Sequence, residues 1–253
     1  MKMPNPKTLI MTALVILAAS GALLANQTSD RIESSAKKSY VFKTYLKDDD
    51  IKIQATDDRV VTLTGTVSEW SHRSLAEETV AGLPGVKRVD NKLEVIGGQP
   101  DEKSDAWIGI KVKTMLMFHR NVSSLNTEVD VKDRVVTLRG QASSEAQKEL
   151  TAEYVKDVEG VLNVQNDMTV ENAGKTNIDK VGDQIDDASI TAQVKLALLF
   201  HRSTSMINTR VSTKNGIVTV RGVAKNSAEK DLVGKLVNNI KGVKGLKNKI
   251  TIE

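Results

Sequence analysis

The sequence predicts an α+β protein of three tandem α-β-β-α-β domains, each with two helices packed on one face of a three-stranded sheet. Three observations predict it. A strand-like stretch ending in glycine occurs three times: Arg59-Val60-Val61-Thr62-Leu63-Thr64-Gly65, Arg134-Val135-Val136-Thr137-Leu138-Arg139-Gly140 and Gly216-Ile217-Val218-Thr219-Val220-Arg221-Gly222. A second glycine, followed by valine, stands 20 residues further on in each copy, at Gly85, Gly160 and Gly242. An asparagine follows each first glycine by 26 residues, at Asn91, Asn166 and Asn248. Landmarks at one fixed spacing are the signature of a repeated unit.

Each unit opens with a helix. Apolar residues recur at helical spacing: Ile32, Ala36, Tyr40; Ile108, Val112, Leu116; Ile190, Val194, Leu198. Ser29 or Asp30, Asp105 and Asp187 are the expected caps, since their oxygens accept from the free N–H groups of a first turn. A short alternating strand follows, such as Ile51, Ile53, Ala55 or Val129, Val131. The turns Asp57-Asp58, Lys132-Asp133 and Lys214-Asn215-Gly216 close a hairpin, with one extra residue in the first copy. The repeated Val-Val-Thr-Leu type of strand is next, rich in residues that suit a pleated sheet. Ser68, Ser143 and Asn226 are the expected caps of a second helix. Its apolar stripe is Leu75, Val80, Leu83; Leu150, Val155, Val158; Leu232, Val237, Ile240. The second glycine is expected to end that helix. The last strand runs over 86–95, 161–170 and 243–252. In the third copy Gly245-Leu246 replaces Arg88-Val89 and Asn163-Val164, which should loosen its start.

These boundaries give domains at 29–97, 104–171 and 187–253, joined by polar linkers at 98–103 and 172–186. Units of this size bury little apolar surface alone, and the chain has no cysteine to staple them. Packing between the repeats is the remaining source of stability. Residues 1–25 have the pattern of a cleaved signal peptide: Lys2 and Lys7, a mostly apolar core over 9–19, and the small residues Ser20-Gly21-Ala22. The expected destination is the bacterial periplasm.

The order α-β-β-α-β, the glycine-ended strand and the later Gly-Val and Asn resemble the BON domain. Gly65, Gly140 and Gly222 match its first glycine; Gly85-Val86, Gly160-Val161 and Gly242-Val243 match its second element. The resemblance implies a non-enzymatic protein of the cell envelope, of the osmotically inducible periplasmic type, with phospholipid as the usual ligand. Two copies are common in that family, so a third departs from it.

The residues themselves point to binding rather than catalysis. Aromatic residues make up 3% of the chain and there are three histidines, which leaves little raw material for a metal site or a histidine-based active site. No phosphate-loop spacing surrounds the glycines, which are expected to be structural. Asp48-Asp49-Asp50 lacks the spaced ligands of a calcium loop and is expected to be a solvated turn. No metal, cofactor or small-molecule substrate is implied. Phe118-His119-Arg120 recurs as Phe200-His201-Arg202 but becomes Phe42-Lys43-Thr44 in the first copy. The expectation is that these cations complement helix C-termini.

Two features remain. The first helices of the second and third domains are apolar nearly all round, which means packing between repeats or contact with lipid or a partner protein. Trp107 stands beside the Ile108–Val112–Leu116 stripe and is the expected exposed anchor. Charge is uneven: residues 187–253 hold twelve Lys and Arg against four Asp and Glu, a net +8. Such a field attracts anionic surfaces. Lys195, Arg202, Lys235, Lys241 and Lys244 are the candidate contacts to an anionic phospholipid membrane. Nucleic acid is not expected, because export and the shortage of stacking aromatics oppose it. A chaperone-like module that uses the apolar first helices to hold envelope proteins is the alternative.

Overall fold

The structure is a computed structural model and describes residues 28–122, 126–171, 185–204 and 207–253. The signal peptide expected over 1–25 lies outside the described residues. The first domain comprises α1 (28–38), α2 (Tyr40–Thr44), β1 (Asp50–Ala55), β2 (Val60–Val67), α3 (Trp70–Ala81) and β3 (Arg88–Val95). The second has α4 (Asp105–Phe118), β4 (Thr127–Lys132), β5 (Val135–Ala142), α5 (Glu145–Lys156), β6 (Asn163–Asn166) and β7 (Thr169–Val170). The third has α6 (Asp187–Phe200), β8 (Arg210–Lys214), β9 (Ile217–Ala224), α7 (Ser227–Asn238) and β10 (Gly245–Ile252). In every domain the glycine-ended strand is central. It pairs antiparallel with the strand before it and parallel with the strand after the second helix. The α+β expectation therefore holds three times over.

The repeated landmarks have local causes. Gly140 has φ +109, and a Cβ there would lie 2.1 Å from the Asn126 carbonyl oxygen, so only glycine lets the preceding strand approach. Gly65 meets Asp50 in the same way. The asparagines tie the last strand to the second helix. Asn166 Nδ2 donates to the Lys148 carbonyl at 2.8 Å, while its Oδ1 accepts from Met168 N–H; Asn248 does the same with Lys230 and Ile250. The two-residue hairpin turns are Asp133-Arg134 and Asn215-Gly216, all at positive φ, whereas the first domain has the longer Asp57-Asp58-Arg59.

Several local expectations shift. The caps of α4 and α6 are Ser104 and Asp186, one residue earlier than expected. Asp105 and Asp187 instead lean back to the hairpin tip. Asp105 accepts from Asp133 and Arg134 N–H at 2.8 and 2.9 Å, and Asp187 accepts from Asn215 and Gly216 at 2.7 and 2.8 Å. A carboxylate there holds the αL turn and complements the helix N-terminus together. Ser29 and Asp30 lie inside α1. Asn226 caps α7 as expected, but Ser144 rather than Ser143 caps α5, and Glu69 rather than Ser68 precedes α3. The second helices end at Gly82, Asp157 and Asn239; Gly85, Gly160 and Gly242 sit beyond them at positive φ, in the turn to the last strand. The second domain's last strand is split around Asp167-Met168. Gly245-Leu246 does not loosen β10, which pairs from Gly245 onward.

The domains pack together. Beside the end of α4, Arg120 N–H donates to the Asn239 carbonyl at 3.1 Å and Lys241 N–H to the Phe118 carbonyl at 2.9 Å. Beside the end of α6, Arg202 N–H donates to Asp157 and Glu159 N–H to Phe200, at 2.9 and 2.8 Å. Each first helix thus extends into a short antiparallel bridge with the second helix of the other domain. The first domain docks on this pair. Tyr40 N–H donates to Asp186 Oδ2 at 2.7 Å, Val41 N–H to Ser189 Oγ at 3.1 Å, and Gly82 lies against Ala188. Nearly every position of α6 is buried.

The close approach at Gly140 makes a test. Gly140→Ala should cost about 3 kcal/mol, from strained φ and the backbone clash. Gly97→Ala has positive φ but open space around it, and should cost about 1 kcal/mol. Urea unfolding of both variants checks the contrast.

Candidate functional site

The Phe-His-Arg motifs are parts of the inter-domain bridge. The guanidinium of Arg120 donates to the Ile240 and Val243 carbonyls at 2.9 and 2.8 Å, at the end of α7. That of Arg202 donates to Val161 at 2.8 Å. These guanidinium groups meet carbonyls in the turns that follow α5 and α7 of the neighbouring domain, not the C-terminal carbonyls of their own helices. The histidines do not act as cations. His119 is fully buried, its ring stacked on Tyr154 with centroids 3.8 Å apart, and neither ring nitrogen has a hydrogen-bond partner. Burial holds its pKa down, to about 4; the nearby Asn239 backbone opposes the shift, and His201 and Lys241 push with it. His201 is also buried and lowered by desolvation, although Asp157 Oδ2, 3.8 Å away, opposes the shift.

Trp107 does not stand at the surface. It is 7% exposed and packs edge-on against Trp70, with centroids 4.8 Å apart, and against Phe200. The arrival of the first domain covers the side of α4 that the stripe left free. The same burial covers the first helices on which the chaperone-like alternative rested. Asp49 is not solvated either: its carboxylate accepts from Ser68 N–H at 2.9 Å and lies 2.6 Å from His72 Nδ1, fixing the start of α3.

The five candidate lipid-contacting cations do not form one site. Lys195 Nζ is 2.5 Å from Glu78 Oε2 of the first domain. Arg202 is committed to the bridge. Lys241 is half-buried and bonded through its backbone there. Lys235 and Lys244 are exposed, one on α7 and the other in the turn before β10.

The register of the third sheet gathers a different set. Arg210 faces Arg221, and Arg221 faces Lys249; Ser212, Thr219 and Lys247 form the next row, and Lys214 sits opposite Ile217. All five cations are exposed and alternate with Val211, Val218, Val220 and Ile250, which face the helices. They therefore share the outer face of the sheet. None of the three strands contains Asp or Glu, and among the described residues none of the five makes an ion pair. Val223, 51% exposed, extends the same face. The corresponding positions of the first sheet carry three acids, Asp50, Asp90 and Glu94, against Lys52, Arg88 and Lys92. The second sheet balances Glu128 and Asp130 with Lys132 and Arg139. The signal that finds this set in sequence is alternation: Arg210, Ser212, Lys214 and Lys247, Lys249, Thr251 each repeat at period two.

Like charges directly opposite one another destabilise a sheet. Cations on edge strands can guard against unwanted pairing, which would account for β8 and β10. Arg221 lies on the central strand, where no edge needs guarding. A cationic row that costs folding energy at that position fits an anionic ligand. Among the described residues no His, Asp and Glu gather as a metal site, and no helix is long and apolar enough to cross a membrane.

This architecture is a triplicated α+β module with one cationic sheet face. The chain belongs to the BON-domain family, whose model matches residues 28–97, 104–172 and 186–253. It is 28% identical to osmotically-inducible protein Y of Escherichia coli (strain K12) over 188 residues, 74% of this chain and 90% of that protein. It is 30% identical over 141 residues to a protein in the gshII 5' region of Anaplasma centrale, covering 55% of this chain and 89% of that one. Among solved structures, the C-terminal domain of CdsD, a structural protein of the type III secretion system of Chlamydia trachomatis, is similar at 15% identity. That match covers 88% of this chain and 95% of that one, with a TM-score of 0.23, too low to carry an argument.

The buried histidine sets a pH dependence. Its folded pKa lies below the ordinary 6.5, so the unfolded chain takes up the proton first. The contribution is complete above pH 6.5 and is lost as pH falls towards about 4. The loss should be roughly 3 kcal/mol. His119→Phe keeps the stack on Tyr154 and has nothing to protonate. Urea midpoints at pH 7 and pH 4 should therefore separate less in His119→Phe than in the wild type.

Proposed function

We propose that this is a non-catalytic protein of the bacterial cell envelope, exported by its N-terminal signal, that acts under osmotic stress. It binds anionic phospholipid headgroups on the outer sheet face of its third domain. The observation that carries this reading is the face itself: Arg210, Lys214, Arg221, Lys247 and Lys249 exposed together on strands without a single acid. Family membership and the name of the Escherichia coli relative support the envelope and osmotic part.

Near an anionic leaflet each cation contributes on the order of 1 kcal/mol. Five on a flat face give useful adhesion that salt screens. A flat sheet needs no pocket for this, and exposed Val223 adds apolar contact at the boundary.

Co-sedimentation with vesicles tests the proposal. Binding to phosphatidylglycerol at low salt should exceed binding to phosphatidylcholine and fall as salt rises. The double variant Arg221→Glu, Lys249→Glu should weaken it at least tenfold. Lys235→Glu with Lys244→Glu, off the sheet face, should weaken it far less. Equal binding to both lipids, or equal loss in the two double variants, overturns the reading.

A further inference from the structure

The three domains meet around a cleft of about 790 Å³ lined by Trp70 of the first domain, Trp107, Ile108 and Lys111 of the second, and Leu199 of the third. This is within the size range of ligand sites. Its apolar floor is rimmed by the charged residues Glu102, Lys103 and Glu159, and Leu199 at the rim is 46% exposed on an otherwise buried helix. Lys111 contributes the polar end. The residue is only 4% exposed, and Glu159 Oε2 pairs with its Nζ at 3.6 Å, longer than a hydrogen bond, while Glu102 is a second carboxylate acting on it from the cleft wall. Glu159 is itself half exposed to water. Among the described residues the ammonium's three donors therefore meet one long ion pair and no shorter acceptor. Desolvation pushes its pKa down, which agrees with an incomplete shell. Arg134 adds a second cation, held by its Nε donating to the Gly160 carbonyl at 2.9 Å.

The reciprocal arrangement of α4 and α6 shows why the site exists at one end only. Counting along the helices, Trp107 and Lys111 of α4 correspond to Ser189 and Gln193 of α6. There the first domain fills the space. Val41 N–H bonds Ser189, Tyr45 packs on Phe118 with centroids 5.9 Å apart, and Gln193 is fully buried. At the Trp107 end the first domain supplies only the edge of Trp70, and the space stays open.

We propose that this junction cleft binds a carboxylate-headed amphiphile, a fatty-acid anion, with its head on Lys111 and its chain against Trp70, Trp107 and Leu199. The site is separate from the cationic sheet face and does not depend on the headgroup reading. Oxyanion-headed chains could come from free fatty acid or from bilayer lipid, and the proposal is for the free acid.

The chain's only two tryptophans both line the cleft, so intrinsic fluorescence of the full-length protein reports occupancy. Titration with monomeric laurate should give a saturable change. Acetate, which has the head without the chain, and dodecyltrimethylammonium, which has the chain with a cationic head, should give none. Lys111→Gln, which installs the residue α6 carries at the matching place, should weaken the response at least tenfold while leaving vesicle binding intact. Leu199→Glu, at an exposed position, should also abolish it. The double variant Arg221→Glu, Lys249→Glu should titrate as the wild type does. No response to laurate, an equal response to dodecyltrimethylammonium, an unaltered response in Lys111→Gln, or a response to phosphatidylglycerol vesicles alone overturns the proposal.

Discussion

The arrangement depends on α4 and α6, two helices apolar on nearly every side. One side of each covers its own sheet, as the stripes Ile108–Val112–Leu116 and Ile190–Val194–Leu198 require. The remaining apolar residues need another cover, because a domain of this size has no second layer to give. Each helix therefore packs on its neighbours, and the chain just past each helix bridges to the other domain's second helix. The bridge also satisfies carbonyls at the helix ends, which would otherwise be orphaned in a dry interface. Stability between domains and stability within them thus come from the same residues.

Reciprocity stops at the first domain. It has Lys43-Thr44 where the others have His-Arg, and its first helix breaks at Ser39, whose hydroxyl bonds back to Ala36. It cannot make the same bridge, and it docks across α6 through α2 and α3 instead. One consequence is chemical asymmetry. One end of the helix pair is plugged and the other keeps a cleft with an under-bonded lysine. The other consequence is that all three helical layers turn inward, leaving the sheets to meet solvent.

Much of this was legible in the residues. The fixed spacing of Gly65, Gly140 and Gly222 marked a backbone contact that admits no Cβ, and the structure supplies it. Asp105 and Asp187 were visible as helix-start acids, but their bonds to the hairpin tip join residues 28 or 29 positions apart, and no local rule sees that far. Trp107 was misplaced for the same reason. Its side of α4 is polar or apolar only relative to one domain, and Trp70 arrives from another. The Phe-His-Arg repeats were correctly tied to helix ends. Their neutrality was not, since a buried imidazole and a capping imidazolium have the same sequence.

The charge of the third domain shows what a sum can and cannot tell. A net +8 counts Lys195 and Arg202 equally with Arg221 and Lys249. In the folded chain the first two are consumed by inter-domain contacts: Lys195 by Glu78, Arg202 by the Val161 carbonyl. Lys195 and Arg202 are spent in this way because they lie where domains meet. Charge on the third sheet is not: among the described residues Arg210, Lys214, Arg221, Lys247 and Lys249 make no ion pair. The repulsion between Arg210, Arg221 and Lys249 on that face is tolerable because water screens it. The third sheet is the one whose strands carry no acid.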